Sequence, residues 1–267
     1  MKTSVFKVFC SVFAIACLMS SCLGDGDSSY SSTREFTYIY QDEYGKKYAV
    51  TTAGYITHSN IDALIAGNCY YIAYKITTGT GTGIFQAESV EVLDKGKPIP
   101  SSELRFIEPY SDIPNRNDTI TPLSLQIGAW SPGTTIGDNW EIGYKVNLKE
   151  DEKVKAYFYF DPEGQKKEDG TELEKNQIII DVRFAYIDRN EAAVATSAEN
   201  LTAVGVLEEL RRTNYFTPVY DSDKDYANVA VRFRYQKNEG DKPASIQYIG
   251  SWTSTSSIYY IQFTRNN

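Results

Sequence analysis

Val229-Ala230-Val231-Arg232-Phe233-Arg234-Tyr235-Gln236 alternates apolar and polar residues, placing Val229, Val231, Phe233 and Tyr235 on one face and the alanine, arginines and glutamine on the other. A two-residue period of this kind belongs to a half-buried β-strand, with one face on a core and one in water. Ile178, Ile180, Val182, Phe184 and Tyr186 repeat the pattern opposite Asp181 and Arg183. Strand-like runs over 142–148, 154–160, 245–249 and 258–263 join these two, separated by turn formers such as Asn238-Glu239-Gly240-Asp241. Several short alternating strands with turns between them predict an antiparallel sandwich over 123–267.

Upstream, residues 35–40 and 46–52 read as strands around the turn Asp42-Glu43-Tyr44-Gly45, and 69–76 and 84–93 as two more around a Thr-Gly loop. They predict a small OB-like barrel over 35–109. Helices are few: a helical turn at 60–67, with Ile61, Leu64 and Ile65 at helical spacing, and a helix at 204–212 burying Leu207 and Leu210. Pro109, Pro114, Asn115, Asn117, Asp118 and Pro122 mark the boundary between the two units. The fold class is therefore all-β, a barrel followed by a sandwich, with one or two short helices.

Residues 1–21 read as an export signal: Lys2 and Lys7, then an apolar run from Val8 to Met19, then Ser20-Ser21 before Cys22. The run is shorter than the roughly 20 residues that span a bilayer. Cleavage before Cys22 leaves a thiol that can carry lipid, so membrane attachment through an N-terminal lipid is expected, with 22–34 as an acidic, serine-rich tether. Cys17, after Ala14-Ile15-Ala16, is the competing lipidation point.

Losing Lys2 and Lys7 deepens the formal charge of −8 by two. A surface of that sign repels phosphate backbones, so nucleic acid is not an expected partner, and the lipid rather than a basic patch must hold the membrane. Of the four cysteines, Cys10 and Cys17 leave with the signal and Cys22 is consumed, so Cys69 stands alone and reads as a small buried strand residue. The 21 tyrosines suit wet β-sheet faces and binding surfaces alike.

Motifs for catalysis are sparse. A serine hydrolase needs a histidine to carry the proton, and the sole histidine, His58, lies in Ile56-Thr57-His58-Ser59 with no nucleophile motif nearby. Zinc needs several His or Cys ligands, which the processed chain lacks. The Thr-Gly loop at 77–83 joins two strands and is followed by no phosphate-binding lysine, so it reads as a hairpin. Asp221, Asp223 and Asp225 open with calcium-loop spacing, but Tyr226 stands where glycine is needed and Arg232 where the bidentate glutamate belongs. A looser calcium site there is the alternative to a solvated acidic loop. Trp130, Trp140 and Trp252 are either sandwich core or an aromatic binding surface. No metal ligand set, cofactor or catalytic residue is assigned.

Ser20-Ser21-Cys22-Leu23-Gly24-Asp25-Gly26-Asp27 resembles the opening of NigD-like lipoproteins of Bacteroidetes. That resemblance implies an N-terminal OB-like barrel, a C-terminal β-sandwich and an outer-membrane lipoprotein exposed on the cell surface. It carries over no catalytic residues. The function expected is non-enzymatic binding of a glycan, peptide or protein ligand. The alternatives are a structural or assembly role in a fimbria-like or secretion-associated surface system, and a carboxylate-dependent glycan hydrolase.

Overall fold

The computed structural model describes residues 28–78, 83–107, 118–129, 138–192, 195–253 and 258–265. Cys22, the export signal and Trp130 lie outside the described residues, as does most of the proline-rich boundary.

Five strands close the first unit: β1 (Ser28–Gln41), β2 (Lys47–Thr51), β3 (Gly54–Thr57), β4 (Cys69–Thr78) and β5 (Ile84–Val92), in the order β1-β2-β3-β5-β4. The β3–β5 ladder is parallel and a single helical turn, α1 (Ser59–Asp62), lies between β3 and β4. This is the five-stranded OB barrel. Ile39, Ala49 and Ile56 face one another across β1, β2 and β3 and are fully buried inside it. Gly54 has φ +126°, and a Cβ there would stand 2.6 Å from the Gly83 carbonyl oxygen, so the β2–β3 turn requires glycine.

The first strand begins earlier than its sequence pattern suggests. Residues 28–32, part of the stretch read as tether, pair with β4 in the register Ser29↔Thr77 and Tyr30↔Ile76. Serine has little intrinsic reason to be a strand; the tertiary partner supplies it, with Tyr30 packing 5.9 Å from Tyr74. A register shift between Ser32 and Glu35 then turns the Glu35 carboxylate to accept from Thr52 N at 2.6 Å and from the Tyr74 hydroxyl at 2.8 Å.

The second unit consists of β6 (Ser101–Phe106), β7 (Thr119–Ile120), β8 (Ser124–Ile127), β9 (Asn139–Lys149), β10 (Lys153–Phe160), β11 (Gln177–Asp188), β12 (Thr196–Val206), β13 (Tyr226–Glu239), β14 (Lys242–Ile249) and β15 (Tyr259–Thr264). Its main path runs β14-β13-β11-β10-β6-β12-β9-β8, with β15 on β13 and β7 on β11. The apolar faces read from sequence on β11 and β13 are the core: Ile178, Ile180, Val182 and Phe184 meet Val229, Val231 and Phe233, all buried. The ladders are mostly antiparallel, but β6 runs parallel to both its neighbours and β11 parallel to β13.

β6 falls inside 35–109 yet hydrogen-bonds only into this second sheet. Its first half pairs with β12 and its second half with β10, so one strand forms the corner where the two layers of the sandwich meet. The stretch 204–212 also divides differently: its first three residues belong to β12, and only Glu208–Arg211 coils, as a single 3-10 turn. Strand pairing of Val204 with Ser101 outcompetes the helix, while Leu207 and Leu210 are buried as their spacing demands.

A third apolar cluster joins the units. Phe36, Cys69 and Tyr71 from the barrel pack against Ile99 and Val204. The Tyr71 hydroxyl donates to the Glu141 carboxylate, whose other oxygen accepts from Ala129 N at 2.8 Å.

Candidate functional site

Outward-facing residues of the barrel assemble an aromatic wall beside this joint. In register, Tyr38 lies opposite Val50 and Val50 opposite Tyr55, while Tyr40 lies opposite Tyr48. The period of two that turns Ile39, Ala49 and Ile56 inward must turn these outward. The rings of Tyr40, Tyr48 and Tyr55 form a mutual triangle with centroid separations of 6.2, 6.3 and 6.1 Å. Val50 is buried among the tyrosines, whereas Tyr40 and Tyr55 remain about 40% exposed. Ile84, beside Tyr55 on β5, and Tyr44, in the β1–β2 turn, extend the exposed apolar area.

The β1–β2 turn fixes one corner of the wall. Asp42 accepts from Tyr44 N at 3.0 Å, from Lys46 N at 2.8 Å and from the Tyr48 hydroxyl at 3.0 Å. Desolvation is the largest single influence on Asp42 and raises its pKa, but the bonds from Lys46 N, the Tyr48 hydroxyl and Tyr44 N together outweigh it and hold the carboxyl below its usual range; desolvation and then the Asp42 bond push the Tyr48 phenol up. Lys46 places its ammonium 5.4 Å from the Tyr48 ring. Tyr48 is thereby held in orientation by its polar tip, half-buried between the rings of Tyr40 and Tyr55.

The residues singled out from sequence are dispersed. Trp140 is fully buried in the sandwich, 5.4 Å from Phe233 and 6.2 Å from Tyr259. Trp252 is half-buried at the far edge, with the Arg232 guanidinium 5.1 Å from its ring. Trp140 and Trp252, the two described tryptophans, therefore do not share a surface. Asp221, Asp223 and Asp225 lie in an exposed segment, where Asp221 pairs with Lys224 at 2.7 Å and the Asp225 carbonyl accepts from Arg265 N. No cluster of three or more acids, histidines or cysteines capable of holding a metal occurs among the described residues. His58 caps α1 by accepting from Asn60 N at 3.1 Å. Cys69 is buried in β4, where burial and then the Glu141 carboxylate push its thiol well above the ordinary value of 9.0.

Sequence reasoning missed the tyrosine wall as a unit. The signal was present in Tyr38-Ile39-Tyr40 and in Tyr48 and Tyr55, but only the barrel register shows that three strands bring these rings together.

No protein-family model and no curated protein matches the chain. Solved structures do. The chain is similar to a candidate lipoprotein from Bacteroides fragilis NCTC 9343, with TM-score 0.53 and 10% identity, over 90% of this chain and 100% of that one. It is also similar to an uncharacterised protein from Parabacteroides merdae ATCC 43184, with TM-score 0.51 and 11% identity, over 88% and 99%. At such identity the likeness shows the fold: barrel and sandwich recur together across the whole length of both.

Proposed function

We propose that this chain is a lipid-anchored envelope protein that binds a ring-bearing ligand, a glycan or the aromatic side chains of a peptide, on the tyrosine wall of its barrel, without chemical turnover. The carrying observation is the triangle of Tyr40, Tyr48 and Tyr55 across three strands, with Tyr40 and Tyr55 exposed and Tyr48 half-buried between them. OB barrels bind oligosaccharides and oligonucleotides on the strand 2–3 face beside the β1–β2 loop, and here that face carries aromatic rings. The overall negative charge favours the sugar over the nucleic acid. The resemblance at Cys22 to surface lipoproteins supports anchoring at the outer face of the outer membrane, with the barrel held near the lipid and the sandwich beyond it.

The test is binding of the whole chain to arrayed neutral glycans and peptides, beside its Tyr40→Ala and Tyr55→Ala variants. Each variant should lose binding by about tenfold or more, since one stacked ring contributes on the order of 1–3 kcal/mol. Binding that survives both changes, or hydrolysis of any arrayed glycan, overturns the reading. Changing Cys22 to alanine should release the protein from membranes with its fold unchanged; a Cys22→Ala protein that stays lipidated moves the anchor to Cys17.

A further inference from the structure

The tyrosine wall does not end at the barrel. Phe36, Tyr38 and Tyr40 alternate onto one face of β1, and the first two pack into the apolar cluster of the joint with Val204 and Val206 of β12. Glu208 follows almost at once, as the first residue of the 3-10 turn. Burial, then the Cys69 thiol, then the Glu208 carboxylate and the Tyr40 phenol push the Tyr38 phenol up. Tyr38 thus stands between a carboxylate of the sandwich and the first ring of the wall.

Glu208 is paired with Arg212 one turn later, and Arg212 Nη1 also donates to Glu209 at 3.2 Å. All three side chains are about half exposed or more. Among the described residues Glu208 Oε2 and Arg212 Nε take no further hydrogen bond, so the pair presents an acceptor and a donor side by side. At the other end of the wall Asp42 and Lys46 likewise offer one carboxylate and one ammonium.

This combination discriminates between ring-bearing ligands. A phenyl or indole ring uses the tyrosine faces but leaves the polar ends unmatched, whereas a sugar ring has an apolar face for stacking and hydroxyls that both donate and accept. Glu208, Glu209 and Arg212 carry one more carboxylate than cation, in a chain of formal charge −8, which disfavours anionic ligands. The span sets a length. Ile84, Tyr55, Val50 and Tyr38 lie in one row across β5, β3, β2 and β1. Three strand spacings, about 14 Å, separate its ends before Glu208 is reached, against about 4.5–7 Å for one ring meeting another.

We infer that the tyrosine wall and the Glu208–Arg212 pair form one site, divided between barrel and sandwich, for a neutral oligosaccharide of about three rings or more. Inner rings stack on Tyr55 and Tyr40, and the hydroxyls of the last ring meet Glu208 and Arg212. The inference rests on the binding reading proposed above and narrows it from glycan or peptide to glycan.

Binding of the whole chain to neutral homo-oligosaccharides, from disaccharide to hexasaccharide, tests it. Wild-type affinity should rise with length until the Glu208 end is occupied. The Glu208→Ala/Arg212→Ala variant loses only an exposed ion pair and should unfold as the wild type does. It should bind the longer oligomers about tenfold or more weakly, having lost hydrogen bonds to charged groups, and the shortest oligomer that binds as well as before. Tyr55→Ala should weaken every length. Equal weakening at every length in the charge-deleted variant, no weakening at any, or tighter binding of acidic than of neutral oligomers overturns the inference and leaves the wall as a binding surface. Peptide binding at the tyrosines without glycan binding overturns it in the same way. Binding of neither class, or binding that survives Tyr40→Ala and Tyr55→Ala, removes the proposed function along with it.

Discussion

Tyr71 on β4 and Glu141 on β9 are hydrogen-bonded across the joint between barrel and sandwich, in a site buried on both sides. Burial, and then the neighbouring carboxylate, push the Tyr71 phenol far above its ordinary value of 10.0, so it donates at every physiological pH. The Arg34 guanidinium covers its ring at 3.6 Å. Removing the hydroxyl leaves a buried carboxylate oxygen with no donor, so Tyr71→Phe should cost about 1–3 kcal/mol in urea unfolding. The Tyr71→Phe/Glu141→Gln double variant should show a coupling between the two changes of about 0.5 kcal/mol or more; additive losses would mean that the bond contributes nothing across the joint.

Asp138 should matter more. It is buried at φ +56°, and its carboxylate takes both Nε and Nη2 of Arg211 at 2.5 and 2.8 Å, while Arg211 Nη1 reaches the Gln262 carbonyl. The pair ties the start of β9 and the 3-10 turn to β15. Asp138→Ala strands a buried guanidinium and puts alanine in a left-handed conformation, so a loss of about 3–5 kcal/mol is expected. Asp138→Asn retains an acceptor and tolerates the backbone, and should lose clearly less by the same denaturant measurement.

Glu168 offers a test in pH. Arg232 Nη2 donates to it at 2.6 Å, and this bond, against partial burial, lowers its pKa from the ordinary 4.5. A lowered folded-state pKa contributes stability that is present above 4.5 and lost as pH falls through the folded value. Because Glu168 is half exposed, the wild type should exceed Glu168→Gln by less than about 1 kcal/mol at neutral pH. Thermal unfolding of the two should converge below pH 4.5, where Glu168 takes up its proton.

Strand faces were legible because burial writes a two-residue period directly into sequence: Val229, Val231 and Phe233 could hardly be read otherwise. The barrel was legible from turns and short alternating runs. What escaped was whatever depends on partners distant in sequence. Nothing in Ser28-Ser29-Tyr30 marks a strand until Thr77 and Ile76 lie beside it. Likewise Ser101–Phe106 falls within the barrel bounds 35–109 without a strand pattern of its own to mark it, and its place in the sandwich rests on pairing with residues more than fifty positions away. Sites follow the same rule. Three tyrosines on three strands become one wall only through register, which no local pattern encodes.

Gly205 tests how tightly the β6 corner is packed. It pairs with Ser102 on one side and Trp140 on the other, and its φ needs no glycine. Its absent side chain matters for another reason: a Cβ there would stand 2.9 Å from the Phe158 ring, which is fully buried and held by the core. The ring has no solvent to move into, so Gly205→Ala should overpack the corner and cost about 1–3 kcal/mol. Phe158→Leu alone should also destabilise, by leaving a void in the core. If steric contact is the cause, the Gly205→Ala/Phe158→Leu double variant must be more stable than the sum of the single losses allows, because the smaller side chain vacates the space that the new methyl needs. Simple additivity in guanidinium unfolding would instead trace the glycine requirement to the backbone of β12.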